Sequence, residues 1–334
     1  PLLVGNAFLA VDGTVFAEAR YFLVVVPLLW LAVAAGVGFL WRQARALGTL
    51  LALVWAVLLL AALPAMWLPE NRREDWRAAA AYLEAHAGPQ DLVLVHPGFL
   101  RPALEYYYAG PAPVVAPFGA PLATPGEGEG PLASLSPSGV VWLVQSHLEG
   151  PDPAHLVEGW LAARFPLVTE QYPAGVVLKG YAARHRLAAL PEGAKPADHT
   201  LGGLRLVGYR VDVARLSPRD DRYHPPSAWL HLTTYWVRAG DVGEGLRCEA
   251  RLVDDLGQVW GLSLMREQDA WGLSPPAQWL PGEVVRLDQD INLNPATPPG
   301  RYWVAVRVLD AGGMSLPTEA GTDLVVLTDV DILP

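Results

Sequence analysis

The chain has 334 residues, an apolar fraction of 52%, a formal net charge of −10 and a single cysteine, Cys248. That length exceeds one average domain, and an acidic balance with no basic stripe argues against a nucleic-acid partner. One cysteine excludes an intrachain disulfide and any cysteine-based zinc or iron–sulfur site.

The apolar excess lies at the front. Residues 1–69 hold only Arg20, Arg42 and Arg45 against Asp12 and Glu18, so residues 70–334 carry −11. The opening stretch, PLLVGNAFLAV, is apolar with no basic residues before it, a poor match to a secretory signal peptide, and it reads as the C-terminal part of a longer protein. Residues 21–41 and 46–69 contain no ionisable group. Each run meets the ~20 helical residues that a ~30 Å hydrocarbon core requires. An arginine at mid-bilayer costs about 2.5–3.5 kcal/mol, so Arg42 and Arg45 mark a loop between two spans. The expectation is a transmembrane α-helical hairpin, with helices over about 21–41 and 46–67, in a membrane region covering 1–69. The competing reading is a pair of buried core helices. The short loop carries two arginines and no acid, which the positive-inside rule places in the cytoplasm. Residues after about 70 are then extracytoplasmic, in a multi-pass protein of the cell membrane surrounded by membrane lipid.

Residues 70–188 read as a small α/β (Rossmann-like) domain. Asn71 with Glu74 has the form of a helix N-cap box, followed by Trp76, Ala80, Leu83 and Ala87 at helical spacing until Gly88-Pro89. The runs DLVLVHP (91–97) and GVVWLVQSH (139–147) are buried-strand patterns, residues 101–108 and 153–164 are helical, and 168–172 and 176–181 close the domain as strands. His96 and His147 end predicted strands, the edge where open α/β sheets place ligands, and both are candidate binding residues. A polar residue also ends a strand simply by reaching water. The stretch Gly126-Glu-Gly-Glu-Gly130 lacks a preceding strand and carries two carboxylates that repel phosphate, so it reads as a flexible loop.

Residues 189–200 read as a linker, and 201–334 as a C-terminal antiparallel β-sandwich of about seven strands with turns at Gly257, Gly282 and Gly300. In VVRLDQDINL, Val285, Leu287, Ile291 and Leu293 share one face, and Arg286, Asp288, Asp290 and Asn292 the other, which reads as solvated. The Asp288-x-Asp290-x-Asn292 spacing resembles the start of a calcium loop, but Leu293 stands where that loop needs glycine and Pro299 where it needs glutamate. Trp229, Trp236, Trp260, Trp271, Trp279 and Trp303 could stack on sugars or fill the core. No GxSxG, HExxH or paired-histidine metal spacing occurs.

Three stretches carry a resemblance: EARYFLVVVPLLWLAVAAGV, EDWRAAAAYLEAHAGPQDLVLVHPGFLRPALEYYY, and WLPGEVVRLDQDINLNPATPPGRYWVAVRVLD, with LRLVGYRVDV and LHLTTYWVRAGD beside the last. They resemble the late span, the following extracytoplasmic domain and the appended β-sandwich of bacterial C-type membrane glycosyltransferases, the family 39 or protein-mannosyltransferase-like group. The resemblance implies transfer of a sugar from a polyprenyl-phosphate donor to an extracytoplasmic glycan or protein acceptor. It also implies catalytic acids and a divalent metal in a loop upstream of Pro1, so no catalytic residue and no cofactor is expected within these residues. Arg20, beside a span, is the candidate contact for the lipid phosphate or, equally, an interfacial snorkelling arginine. The alternative readings are a membrane-anchored, non-catalytic binding or structural module that takes carbohydrate, and a soluble α/β enzyme.

Overall fold

The computed structural model describes residues 26–62, 74–135, 137–219, 228–264, 266 and 269–334. The chain divides into two compact units, Pro1–Arg72 and Arg73–Pro334.

In the first unit, α1 (Val26–Gln43) and α2 (Arg45–Ala62) are separated by Ala44 alone and meet through Trp30 and Trp55, whose ring centroids lie 6.0 Å apart. Gly48 permits the close joint, because a Cβ there would stand 2.8 Å from Trp41 Cα. The expected transmembrane hairpin is corrected here. Each helix has 18 residues, about 27 Å at ~1.5 Å per residue, and the two arginines taken as a loop are helical, Arg42 in the last turn of α1 and Arg45 at the start of α2. Among the described residues no helix is long and apolar enough to cross a membrane, so a multi-pass placement loses its support. The outer parts of the uncharged runs, with Tyr21 and Trp67, and the candidate Arg20 lie outside the described residues.

The second unit is mostly β, which corrects the expected three-part class of helical hairpin, Rossmann-like domain and sandwich. It opens with α3 (Trp76–His86), capped by Asp75, whose Oδ1 accepts from Ala78 N at 2.9 Å. The cap is thus four residues beyond Asn71, which lies outside the described residues. Five strands then form a mixed sheet: β1 (Leu92–His96), β2 (Val114–Val115), β3 (Val140–Gln145), β4 (Leu167–Gln171) and β5 (Val177–Ala182), in the order β2-β1-β3-β5-β4. Strands β1, β2 and β3 run parallel, while β5 is antiparallel to both β3 and β4.

Strand alternation splits this sheet's apolar residues between two cores. Val93, Val95, Trp142 and Val144 pack with α3 and α4 (Arg101–Glu105), and Leu94, Val141 and Leu143 pack with α5 (Pro125–Ala133) and α6 (Leu156–Ala162). Both faces are covered, so β3 is buried along its whole length. Helix α5 occupies the glycine-rich stretch read as a loop. Its Leu132 is 1% exposed, and this burial overrides the poor helix propensity of three glycines.

The remaining strands are β6 (Arg186–Leu187), β7 (Lys195–Leu201), β8 (Leu204–Val211), β9 (Arg215–Leu216), β10 (Trp229–Arg238), β11 (Arg247–Val253), β12 (Val259–Ser263), β13 (Val284–Leu293), β14 (Gly300–Leu309) and β15 (Val325–Ile332). They form one ten-stranded sheet with the path β7-β8-β10-β13-β12-β11-β14-β15-β9, and β6 pairs with β13. The sandwich-like packing therefore comes from one curled sheet rather than two separate ones. The Tyr209 hydroxyl on β8 donates to Leu327 O on β15 at 2.6 Å, across the sheet path. All but the last residue of strand β7 falls in the stretch read as a linker, and the strand joins β8 through Gly202-Gly203, whose φ values of 53° and 81° suit a tight two-residue hairpin. Between the halves of the curl lie Leu232, Leu252, Leu287 and Val304, with Trp236, Trp271 and Trp279. These three tryptophans are at most 4% exposed, with successive ring centroids 5.4 and 5.8 Å apart, so they fill the core and cannot form a sugar platform.

Candidate functional site

The C-terminal ends of β3 and β4 and the start of β5 border a pocket of about 820 Å³, lined by Glu74, Gln145, His147, Glu149, His155 and Tyr172 among others. It lies where an open α/β sheet binds its ligands, beyond the carboxyl ends of its parallel strands. The rim is the loop from Ser146 to His155. His147 (φ 52°) and His155 (φ 53°) both hold left-handed backbone, at a cost on the order of 1–2 kcal/mol each, and their imidazoles are more than half exposed at the mouth. His147 Nε2 pairs with the Glu74 carboxylate, which fixes the ring.

What holds this loop is Asp152, fully buried. Its carboxylate accepts from Leu156 N at 2.8 Å, from Val157 N at 3.2 Å and from His96 Nε2 at 3.2 Å. The Ser146 hydroxyl donates to Gly175 O at 2.7 Å and ties the loop's other end to the turn before β5. His96 therefore stands beneath the pocket and not in it. Burial pushes its imidazole below the ordinary value, more strongly than Asp152 raises it, and the ring packs edge-on against Phe118. A neutral His96 donating from Nε2 is a positioning residue for the rim.

The two sequence-derived histidines thus separate into one rim residue, His147, and one support, His96. Glu74, Gln145, Asp152, His155 and Tyr172 were missed by sequence reasoning. Only the polar residues closing the apolar run of β3 signalled Gln145.

A second cluster joins the two sheets. His231 on β10 donates to Asp290 at 2.8 Å from Nδ1 and to Asp288 at 3.2 Å from Nε2. Arg286 pairs with Asp288, and Arg266 reaches both Asp290 at 2.7 Å and Glu170 of β4 at 3.5 Å. The cluster holds three cations and three carboxylates. Burial lowers the His231 pKa, but the two aspartates outweigh it, and the value is pushed up to about 10. The face of β13 read as solvated is therefore covered, with Asp288 and Asp290 buried under the five-stranded sheet. A crevice of about 440 Å³ opens above His231 and Asp290, walled by Tyr82, Trp229 and Asp212.

Among the described residues no group of three or more His, Cys, Asp or Glu side chains could hold a metal ion. Neither the protein-family models nor the curated proteins contain a match to the chain. Chemically, the pocket offers imidazoles, carboxylates, an amide and a tyrosine ring around a concave space, and among the described residues no nucleophile there is aligned with a base.

Proposed function

We propose that the Arg73–Pro334 unit is a non-catalytic saccharide-binding module, acting within a sugar-transferring enzyme of the polyprenyl-phosphate-dependent kind that the sequence resembles. The observation that carries this reading is the 820 Å³ pocket whose rim residues, His147 and His155, hold left-handed backbone in a loop anchored by the buried Asp152 carboxylate at one end and by Ser146 at the other. Strain of that kind persists only where the surroundings impose it, and it clusters at binding sites. The ring of Tyr172 supplies a stacking face, while His147, His155 and Gln145 supply polar groups for hydroxyls. Glu74 and Glu149 line the same pocket in an acidic protein, which disfavours phosphate and nucleotide ligands. An extracytoplasmic setting and a glycan or protein acceptor are part of the proposal and rest on the resemblance alone.

The test is titration of the full chain with a panel of methyl hexopyranosides, followed by ligand-observed NMR, alongside a transfer assay with a polyprenyl-phosphate sugar. The expected result is saccharide binding that weakens about tenfold or more in His147→Ala, with no sugar transfer. Measurable transfer by this chain would overturn the non-catalytic reading, and the absence of binding across the panel would overturn the saccharide reading.

A further inference from the structure

Gln145 is the last residue of β3 and is 1% exposed, yet its side-chain Nε2 has no hydrogen-bond partner. Its backbone is in register with His96 of β1 on one side and Val177 of β5 on the other, so the sheet makes no demand on the amide. A buried amide without a partner is a cost that a leucine of similar size would not carry. Gln145 also lines the 820 Å³ pocket. A polar group this deep without a protein partner, on a residue that lines a pocket, can be completed by a ligand atom.

The neighbouring side chains define what that atom belongs to. Glu74 and Glu149 line the pocket, the Glu74 carboxylate is paired with His147, and no described Arg or Lys lines it, so an anionic ligand would find no guanidinium or ammonium there. The Ser146 hydroxyl is already committed to Gly175 O. A primary amide both donates and accepts in one plane, and its natural complement is a pair of adjacent hydroxyls, one accepting and one donating. We propose that Gln145 is the specificity-determining residue of this pocket and that the ligand is a neutral hexopyranoside read through two vicinal hydroxyls. The proposal rests on the saccharide reading above and sharpens it.

The experiment compares the 334-residue wild-type chain with Gln145→Leu. Calorimetric titration uses the tightest-binding methyl hexopyranoside, its monodeoxy analogues and the corresponding uronate, and thermal melts are recorded with and without sugar. Gln145→Leu is expected to melt at or above the wild-type temperature when empty, to lose affinity about 10- to 100-fold, and to stop discriminating the monodeoxy analogues. A purely structural glutamine would give the opposite pattern. An empty variant that melts lower with unchanged affinity overturns the role of Gln145 and leaves the saccharide reading standing. Tighter binding of the uronate than of the neutral sugar overturns the ligand class, and no binding of any sugar by the wild type overturns both readings together.

Discussion

Replacing His231 with glutamine tests the electrostatic joint between the two sheets. In the wild type the imidazolium stands directly across the β10–β13 ladder from Asp290 and bonds Asp288 as well, at 13% side-chain exposure. Without it, three carboxylates face two guanidinium groups in a buried space. Removing one partner from such an arrangement costs on the order of 3–5 kcal/mol, because it leaves a desolvated charge uncompensated. Proton linkage gives an independent figure. A histidine at about 10 in the folded protein and ~6.5 unfolded contributes at most roughly 5 kcal/mol well below pH 6.5 and roughly 4 kcal/mol at neutral pH. The sign follows from the raised value: this stability is fully present below about pH 6.5, declines as pH rises, and is gone above about pH 10. Urea unfolding of both proteins, followed by tryptophan fluorescence between about pH 6 and pH 10, should show a wild-type advantage of several kcal/mol that shrinks across that window. A difference below about 1 kcal/mol at neutral pH, or one that does not change with pH, would refute the assignment of a buried imidazolium.

Two further outcomes concern the acid side and the rim loop. The lowered His96 value means that the unfolded chain binds a proton near pH 6.5 that the folded chain does not, so stability should fall as pH drops below that point, and His96→Asn should flatten this limb of a pH-dependent melting curve. Asp288 and Asp290, both held below the usual carboxylate range against the cost of burial, add a second loss in more acidic solution as they protonate. Asp152→Ala strands the amides of Leu156 and Val157 together with His96 Nε2, and should cost roughly 2–5 kcal/mol and speed hydrogen exchange across residues 146–157. Exchange no faster than in the wild type would separate Asp152 from the loop it is held to anchor.

The elements that could be read from the chain were those whose pattern has one physical cause. The continuous apolar run of β3 is apolar because helices cover both faces of its sheet, and such a run signals a strand without further context. Helix α5 escaped because its stability lies in Leu132 and the core it enters, while its own glycines and Pro131 argue against a helix. The Gly202-Gly203 hairpin was written in the sequence but hidden behind a polar strand, β7, whose exposed edge resembles a linker.

The charged face of β13 illustrates a limit that no local pattern overcomes. Alternation reports that a strand has two unlike faces, and it does not report which of them is wet. Arg286, Asp288 and Asp290 look like a solvated stripe until His231 arrives from the neighbouring strand, and Arg266 and Glu170 arrive from elsewhere in the chain, to balance them. The same holds for the pocket. His147 was visible as a polar strand end, but its usefulness depends on Asp152 fixing the rim and on Gln145 being left without a partner, and both are properties of packing. Buried polar groups are costly unless paired, so each one must be completed by a distant residue or by something outside the chain. In the cluster around His231 each charge is met by an opposite charge from a distant residue, although Arg266 Nε and Arg286 Nε make no hydrogen bond. The Gln145 amide nitrogen has no partner of either kind and its residue lines the 820 Å³ pocket, which makes that pocket the place where a ligand is expected.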